Sequence, residues 1–120
     1  MTRVLIIDDH AVVRDILRAQ LTRARIDVVG EAADLDDGLR EARRLRPAII
    51  ILDAVLPQTS GHTALATLTS TLPDVRIVYL GNDADPRYAD AALRAGADAF
   101  VFKDDADTDT VPAVMSLTAT

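Results

Sequence analysis

Ala48-Ile49-Ile50-Ile51-Leu52 is an unbroken apolar run closed by Asp53. A strand covered on one face only alternates apolar and polar residues. A run this uniform is covered on both faces, as central strands of parallel sheets are. Val4-Leu5-Ile6-Ile7 and Val75 to Leu80 have the same character. The runs Ile26 to Val29, beside Asp27 and Gly30, and Ala99 to Phe102, beside Asp98 and Lys103, are less purely apolar and suit the sheet edges.

The segments between these runs read as helices. Val13, Ile16, Leu17 and Leu21 share one face of the first, and Leu35, Leu39, Ala42 and Leu45 share one face of the second. Asp34 is a candidate N-cap for the second helix, with acids following it and Arg43, Arg44 and Arg46 at the far end, the order the helix dipole favours. Pro47 stops it. A third helix near His62 to Leu72 carries Leu65, Leu68 and Leu72 on a threonine-rich sequence of moderate propensity. Asp85-Pro86 opens a fourth and Gly96 closes it, while Asp107 to Asp109 cap a last one, with Pro112 in its first turn.

Strand and helix thus alternate five times, which calls for a parallel sheet with helices on both faces. Right-handed crossovers with two edge strands give an α/β, flavodoxin-like doubly wound (βα)5 fold with strand order 2-1-3-4-5. At 120 residues the chain is read as one domain spanning 1–120.

Composition narrows the function. The formal charge of −6 argues against direct contact with nucleic acid or anionic lipid, both of which need a basic surface. With no cysteine, disulfides and thiolate zinc sites are excluded. No apolar run is long enough to span a bilayer, and Met1-Thr2-Arg3 leads into a strand without a signal-peptide pattern. The expectation is a soluble cytoplasmic domain.

In an open sheet of this kind ligands bind beyond the carboxyl ends of the strands, where the strand order reverses. Asp8 and Asp9 end the first strand, Asp53 the third, Gly81 the fourth, and Lys103 the fifth, so the topology gathers scattered residues on one rim. Clustered carboxylates repel and call for a cation. Hard oxygen donors, with His10 and His62 read as exposed helix residues, favour Mg²⁺, which is commonly shared with a phosphate. Lys103 adds a point charge suited to a phosphoryl oxygen. Together these make a phosphoryl-transfer site, with one carboxylate as nucleophile. Taken singly, each acid reads as a helix cap or turn former, Lys103 as solvated, and Phe100 as half-buried filler.

Over nearly its whole length the sequence resembles the receiver domain of bacterial two-component response regulators. The matching pieces are Ile6-Ile7-Asp8-Asp9-His10, Leu52-Asp53-Ala54-Val55-Leu56-Pro57 running to Gly61, and Gly96 through Lys103-Asp104. Asp-Asp-His and Lys-Asp are similar to the subclass with a C-terminal helix-turn-helix (LuxR-type) DNA-binding domain. The resemblance implies that Asp53 takes a phosphoryl group from a sensor histidine kinase. It implies Mg²⁺ bound by Asp9, Asp53 and the backbone carbonyl of Val55, and by Asp8 directly or through water, phosphate pairing by Lys103, and a loop shaped by Pro57 and Gly61. It also implies a switch aromatic at Phe100, dimerisation through the fourth- or fifth-helix face, and a signalling module, not an enzyme.

One position departs from the pattern. The family has Thr or Ser at the end of the fourth strand to bind the phosphate, and here stands Gly81, followed by Asn82. The missing hydrogen bond to a charged group is typically worth ~1.5–3 kcal/mol. Two consequences stand side by side: phosphorylation with weakened coupling, or an atypical receiver acting without phosphate. Rivals from other classes are weaker. An aspartate-nucleophile phosphohydrolase wants an acid two residues after Asp53, where Val55 stands. A cobalamin site of the Asp-x-His-x-x-Gly type lacks its glycine, since Val13 occupies that position, and Asp8 and Asp9 would repel a flavin phosphate.

Overall fold

The computed structural model describes residues 1–118. The main strands are β1 (Arg3–Ile7), β2 (Asp27–Ala32), β3 (Ile49–Asp53), β4 (Arg76–Gly81) and β5 (Ala99–Phe102). They alternate with α1 (Ala11–Arg23), α2 (Leu35–Leu45), α3 (Gly61–Thr71), α4 (Pro86–Arg94) and α5 (Ala106–Thr118). All main-sheet pairings are parallel, in the order β2-β1-β3-β4-β5, as expected from the runs. The order reverses at β1, whose neighbours are β2 and β3.

Alternate residues of each strand feed two separate cores. Val4, Ile6, Ile49, Ile51, Val78, Leu80 and Val101 pack with Leu17 and Leu21 of α1 and Val114 of α5. Leu5, Ile7, Ile50, Leu52, Ile77 and Tyr79 pack with Ala42 of α2, Ala64, Leu65 and Leu68 of α3, and Ala92 of α4. Ile49 to Leu52 are 0–1% exposed, so the polar-free run is explained by cover on both sides. Truncating such a side chain, as in Ile50→Ala, costs ~2–5 kcal/mol.

The predicted ends of α2 and α4 hold. Asp34 accepts the amide of Asp37 at 2.8 Å, and α2 stops at Leu45 with Arg46 in the left-handed region (φ 50°) ahead of Pro47. The residue before a proline is pushed out of the helical region, which accounts for that stop. Asp85 accepts the amide of Arg87 at 3.0 Å with Pro86 as the first helical residue, and Gly96 follows at φ 115°.

Elsewhere the sequence reading needs correction. Ile16 is 51% exposed; only Leu17 and Leu21 of the expected α1 face are fully buried. A 3-10 turn, Lys103–Asp105, runs directly into α5 at Ala106, so Asp107 and Asp109 lie inside its first turn and Pro112 beyond it. β2 continues to Ala32, three residues past the apolar run, because an edge strand is held by its ladder to β1 more than by burial. The loop after β3 contains a small antiparallel hairpin, Val55–Leu56 against Thr59–Ser60, that hydrophobic patterning over two residues could not reveal. Ser60 then caps α3, accepting the amide of Thr63 at 3.1 Å. Among the described residues no helix is long and apolar enough to cross a membrane.

Candidate functional site

The carboxyl ends of β1 and β3 bring the predicted acids together. Ligand atoms of Asp8, Asp9, His10 and Asp53 all lie within 4.8 Å of one another. Asp8 and Asp53 are 0% exposed, although they are charged groups at strand ends, and Asp9 is solvent-accessible. Lys103 reaches over from the end of β5, with Nζ 2.8 Å from Asp53 Oδ1. The amide of Val55 donates to the same oxygen at 3.2 Å.

The second oxygen of each buried acid has no such partner. Asp8 Oδ2 and Asp53 Oδ2 are buried with no hydrogen bond. A buried unsatisfied acceptor costs ~1–3 kcal/mol, more when charged, so two of them side by side mark a place built for something positive. The donor set is two buried carboxylate oxygens plus the accessible carboxylate of Asp9, all hard oxygen ligands. It fits a small divalent cation such as Mg²⁺.

The electrostatics agree. Burial pushes the Asp53 carboxyl above the usual carboxylate range and the neighbouring Asp8 charge pushes it further; the hydrogen bonds from Lys103 and Val55 oppose this. Tyr79 is pushed up as well, by burial and then by the charge of Asp53.

His10 was expected to be an exposed residue away from the ligands. Its side chain is indeed 57% exposed, but Nδ1 lies 3.0 Å from Asp9 Oδ1 and 3.3 Å from Asp8 Oδ1. The cause is local: its own amide donates to Asp8 Oδ1 at 2.8 Å, folding the ring back over the acids at the N-terminus of α1. The ring thus lies closer to the acids than an exposed helix residue need be.

The remaining predicted residues surround the acids without joining them. Pro57 is exposed on the hairpin. Gly61 begins α3 where there is no room for a side chain: a Cβ there would lie 2.5 Å from the Ala54 carbonyl oxygen and overlap the Tyr79 hydroxyl. Gly81 ends β4 with an ordinary backbone conformation that any residue could adopt, since Gly96 alone of the described glycines has positive φ. What crowds position 81 is Phe100. A Cβ on residue 81 would lie 2.5 Å from Phe100 Cζ and closer still to Cε2. The Phe100 ring occupies the space that a side chain at 81 would fill. It continues a row of rings, with Tyr79 6.3 Å away and His62 6.4 Å beyond Tyr79.

Sequence reasoning missed two groups. Tyr79 looked like one more apolar residue of β4, and nothing marked it as the bridge between the loop after Asp53 and Phe100. Arg14 and Glu31 looked like surface charges. Yet Arg14 Nη1 donates to the Asp8 carbonyl at 2.6 Å and Arg14 Nε to Glu31 at 3.0 Å. Their separation of seventeen residues gives no local pattern.

Comparison with known proteins places this arrangement. The response regulator receiver domain family matches residues 4–114. The chain is 31% identical over 113 residues to response regulator protein VraR of Staphylococcus epidermidis, covering 93% of this chain and 54% of that protein. It superimposes on the RcsB response regulator of Salmonella typhimurium with a TM-score of 0.92 at 26% identity, covering 98% of this chain and 59% of that one. A LuxR-family two-component response regulator from Aurantimonas sp. SI85-9A1 gives a TM-score of 0.90 at 30% identity, covering 99% and 86%. The chain spans about half the length of the curated relatives it matches. It belongs to the response regulator receiver domain family, and its relatives include response regulators, one of them of the LuxR family.

Proposed function

We propose that the domain is a phosphoacceptor switch in which Asp53 takes a phosphoryl group from a sensor histidine kinase. The observation that carries this is the pair of buried, unpartnered oxygens, Asp8 Oδ2 and Asp53 Oδ2, beside the 2.8 Å contact of Lys103 with Asp53 Oδ1. One Asp53 oxygen attacks phosphorus, the bond from phosphorus to the kinase imidazole nitrogen breaks, and the imidazole leaves with that electron pair. The product on this chain is an acyl phosphate. Asp8, Asp9 and Asp53, with the Val55 carbonyl, would hold Mg²⁺, which when bound supplies charge neutralisation to the acids and the phosphoryl oxygens. Lys103 already pairs with Asp53 and needs only to follow the charge onto the phosphoryl group. The burial that raises the Asp53 pKa keeps water from the carboxylate and strengthens every charge interaction in the pocket. Pro57 and Gly61 shape the loop that frames it.

In this reading the domain works in the cytoplasm, makes no nucleic-acid contact of its own, and passes its state on by pairing with a second copy through the α4 or α5 face. The test is incubation with a small phosphodonor and Mg²⁺ followed by peptide mass spectrometry. Phosphate at Asp53 is expected; an unmodified Asp53 refutes the reading. Multiple-turnover hydrolysis of phosphate esters would return the phosphohydrolase alternative.

A second reading is favoured by Phe100. The ring already occupies the space that a side chain at 81 would fill, in a structure without a phosphoryl group. Output through this face would then be independent of phosphate, as in an atypical receiver. Ring resonances of Phe100 that stay in place when Asp53 is loaded with beryllofluoride favour this reading; a shift favours the phosphate-driven switch.

A further inference from the structure

Asp8 is fixed at every hydrogen-bonding atom but one. Its amide donates to the Ala32 carbonyl at 3.0 Å, its carbonyl accepts from Arg14 Nη1 at 2.6 Å, and Oδ1 accepts from the His10 amide at 2.8 Å. Oδ2 alone is buried and unpartnered. The Arg14 guanidinium is not a loose surface cation. Its Nε donates to Glu31 Oε1 at 3.0 Å, and the other Glu31 oxygen accepts from Arg18 Nε at 2.6 Å. The Arg14 and Glu31 side chains are only 19% and 24% exposed. Glu31 pairs with Ile6 in the sheet, two residues before Asp8, so the guanidinium spans from the edge strand to the main-chain carbonyl just past the end of β1.

We propose that Arg14, clamped by Glu31, is a positioning residue. It holds the Asp8 main chain so that Oδ2 faces the divalent cation of the acid pocket. The proposal rests on the cation-binding reading above. Arg14 is suited to this as lysine is not: a planar fork can serve a carbonyl and a carboxylate at once, whereas an ammonium is a single point. Groups that orient a metal ligand from behind typically change metal affinity by about 10–100-fold when removed.

Electrostatics alone predicts the opposite sign, which makes the proposal decidable. A guanidinium near a cation site repels the cation, so deleting its charge should tighten binding. Deleting a brace should loosen it. Arg18 provides the control, because it carries the same charge to the same carboxylate without touching Asp8.

The experiment titrates Mn²⁺ into the protein, following free Mn²⁺ by electron paramagnetic resonance, with Mg²⁺ as competitor. Thermal unfolding in chelator is recorded for each variant. Arg14→Met is expected to weaken Mn²⁺ binding by roughly tenfold or more. Arg14→Lys, which keeps the charge, is expected to weaken it by less, and Arg18→Met to leave it nearly unchanged. Arg14→Lys also serves if Arg14→Met does not fold. Unchanged or tighter binding in both Arg14 variants overturns the proposal while leaving the cation site standing. A wild-type protein that binds no Mn²⁺ removes the cation-binding reading and this proposal together.

Discussion

Placing a methyl group on residue 81 tests whether Phe100 is what requires glycine there. In Gly81→Ala the new Cβ would sit 2.5 Å from Phe100 Cζ. Carbon atoms in contact prefer ~3.5–4.0 Å, so the ring has to retreat by about 1 Å or swing away. Overpacking of this kind costs ~1–3 kcal/mol. Against it stands a gain of ~0.5–1 kcal/mol from replacing glycine where the backbone is ordinary. The net expectation is a loss of roughly 0–2.5 kcal/mol, centred near 1. The same substitution made in a Phe100→Ala background meets no ring, and only the gain remains. Gly81→Ala should therefore change sign between the two backgrounds. Urea unfolding of the four proteins reads this directly, since midpoints convert to free energy through a slope of ~1–3 kcal/mol per molar for small domains. Equal costs in both backgrounds would show that the ring and the glycine are independent, and the account of position 81 would fail.

The remaining expectations concern the acid pocket. Asp53 has a folded pKa above its unfolded value, so ionising it opposes folding. Its contribution to stability therefore falls as pH rises from the ordinary carboxylate range through the raised pKa. In chelator at neutral pH, Asp53→Asn should melt higher than wild type, the difference should vanish on acidification, and Mg²⁺ should stabilise wild type more than the variant; calorimetry checks all three. Lys103→Met strips a fully buried carboxylate of its cation and should cost ~1–3 kcal/mol without metal, with added Mg²⁺ recovering part of it in the same melting assay. Gly61→Ala pushes a methyl into the Ala54 carbonyl and the Tyr79 hydroxyl. It should lose ~1–3 kcal/mol of unfolding free energy, and Tyr79→Phe should relieve part of that loss.

The fold was legible because burial on two faces leaves its mark on every residue of a strand. Ile49 to Leu52 could not be read another way, and the order of the sheet followed from the edge character of β2 and β5. Asp8, Asp9, Asp53 and Lys103 were legible for a topological reason, since strand ends in this architecture share one rim. The contacts that support them were not. Arg14 finds Asp8 and Glu31 through the packing of α1 on the sheet, and neither separation follows a helical or strand period. The His10 ring turned back because of one main-chain hydrogen bond to Asp8, which no residue pattern encodes. Gly81 stood out as a departure, but its consequence lay in the third dimension, where Phe100 on the neighbouring strand fills the space. Ile16 was misplaced because four apolar residues on α1 are more than its contact with the sheet can cover.

The central claim is that Asp53 is a nucleophile. It is tested most directly by exposing wild type, Asp53→Asn and Lys103→Met to a small phosphodonor with Mg²⁺ and mapping the modified peptide by mass spectrometry. The account predicts one acid-stable, base-labile phosphoryl group on Asp53 in wild type, none in Asp53→Asn, and slowed modification in Lys103→Met. Wild type left unmodified, or modified at another residue, would contradict it.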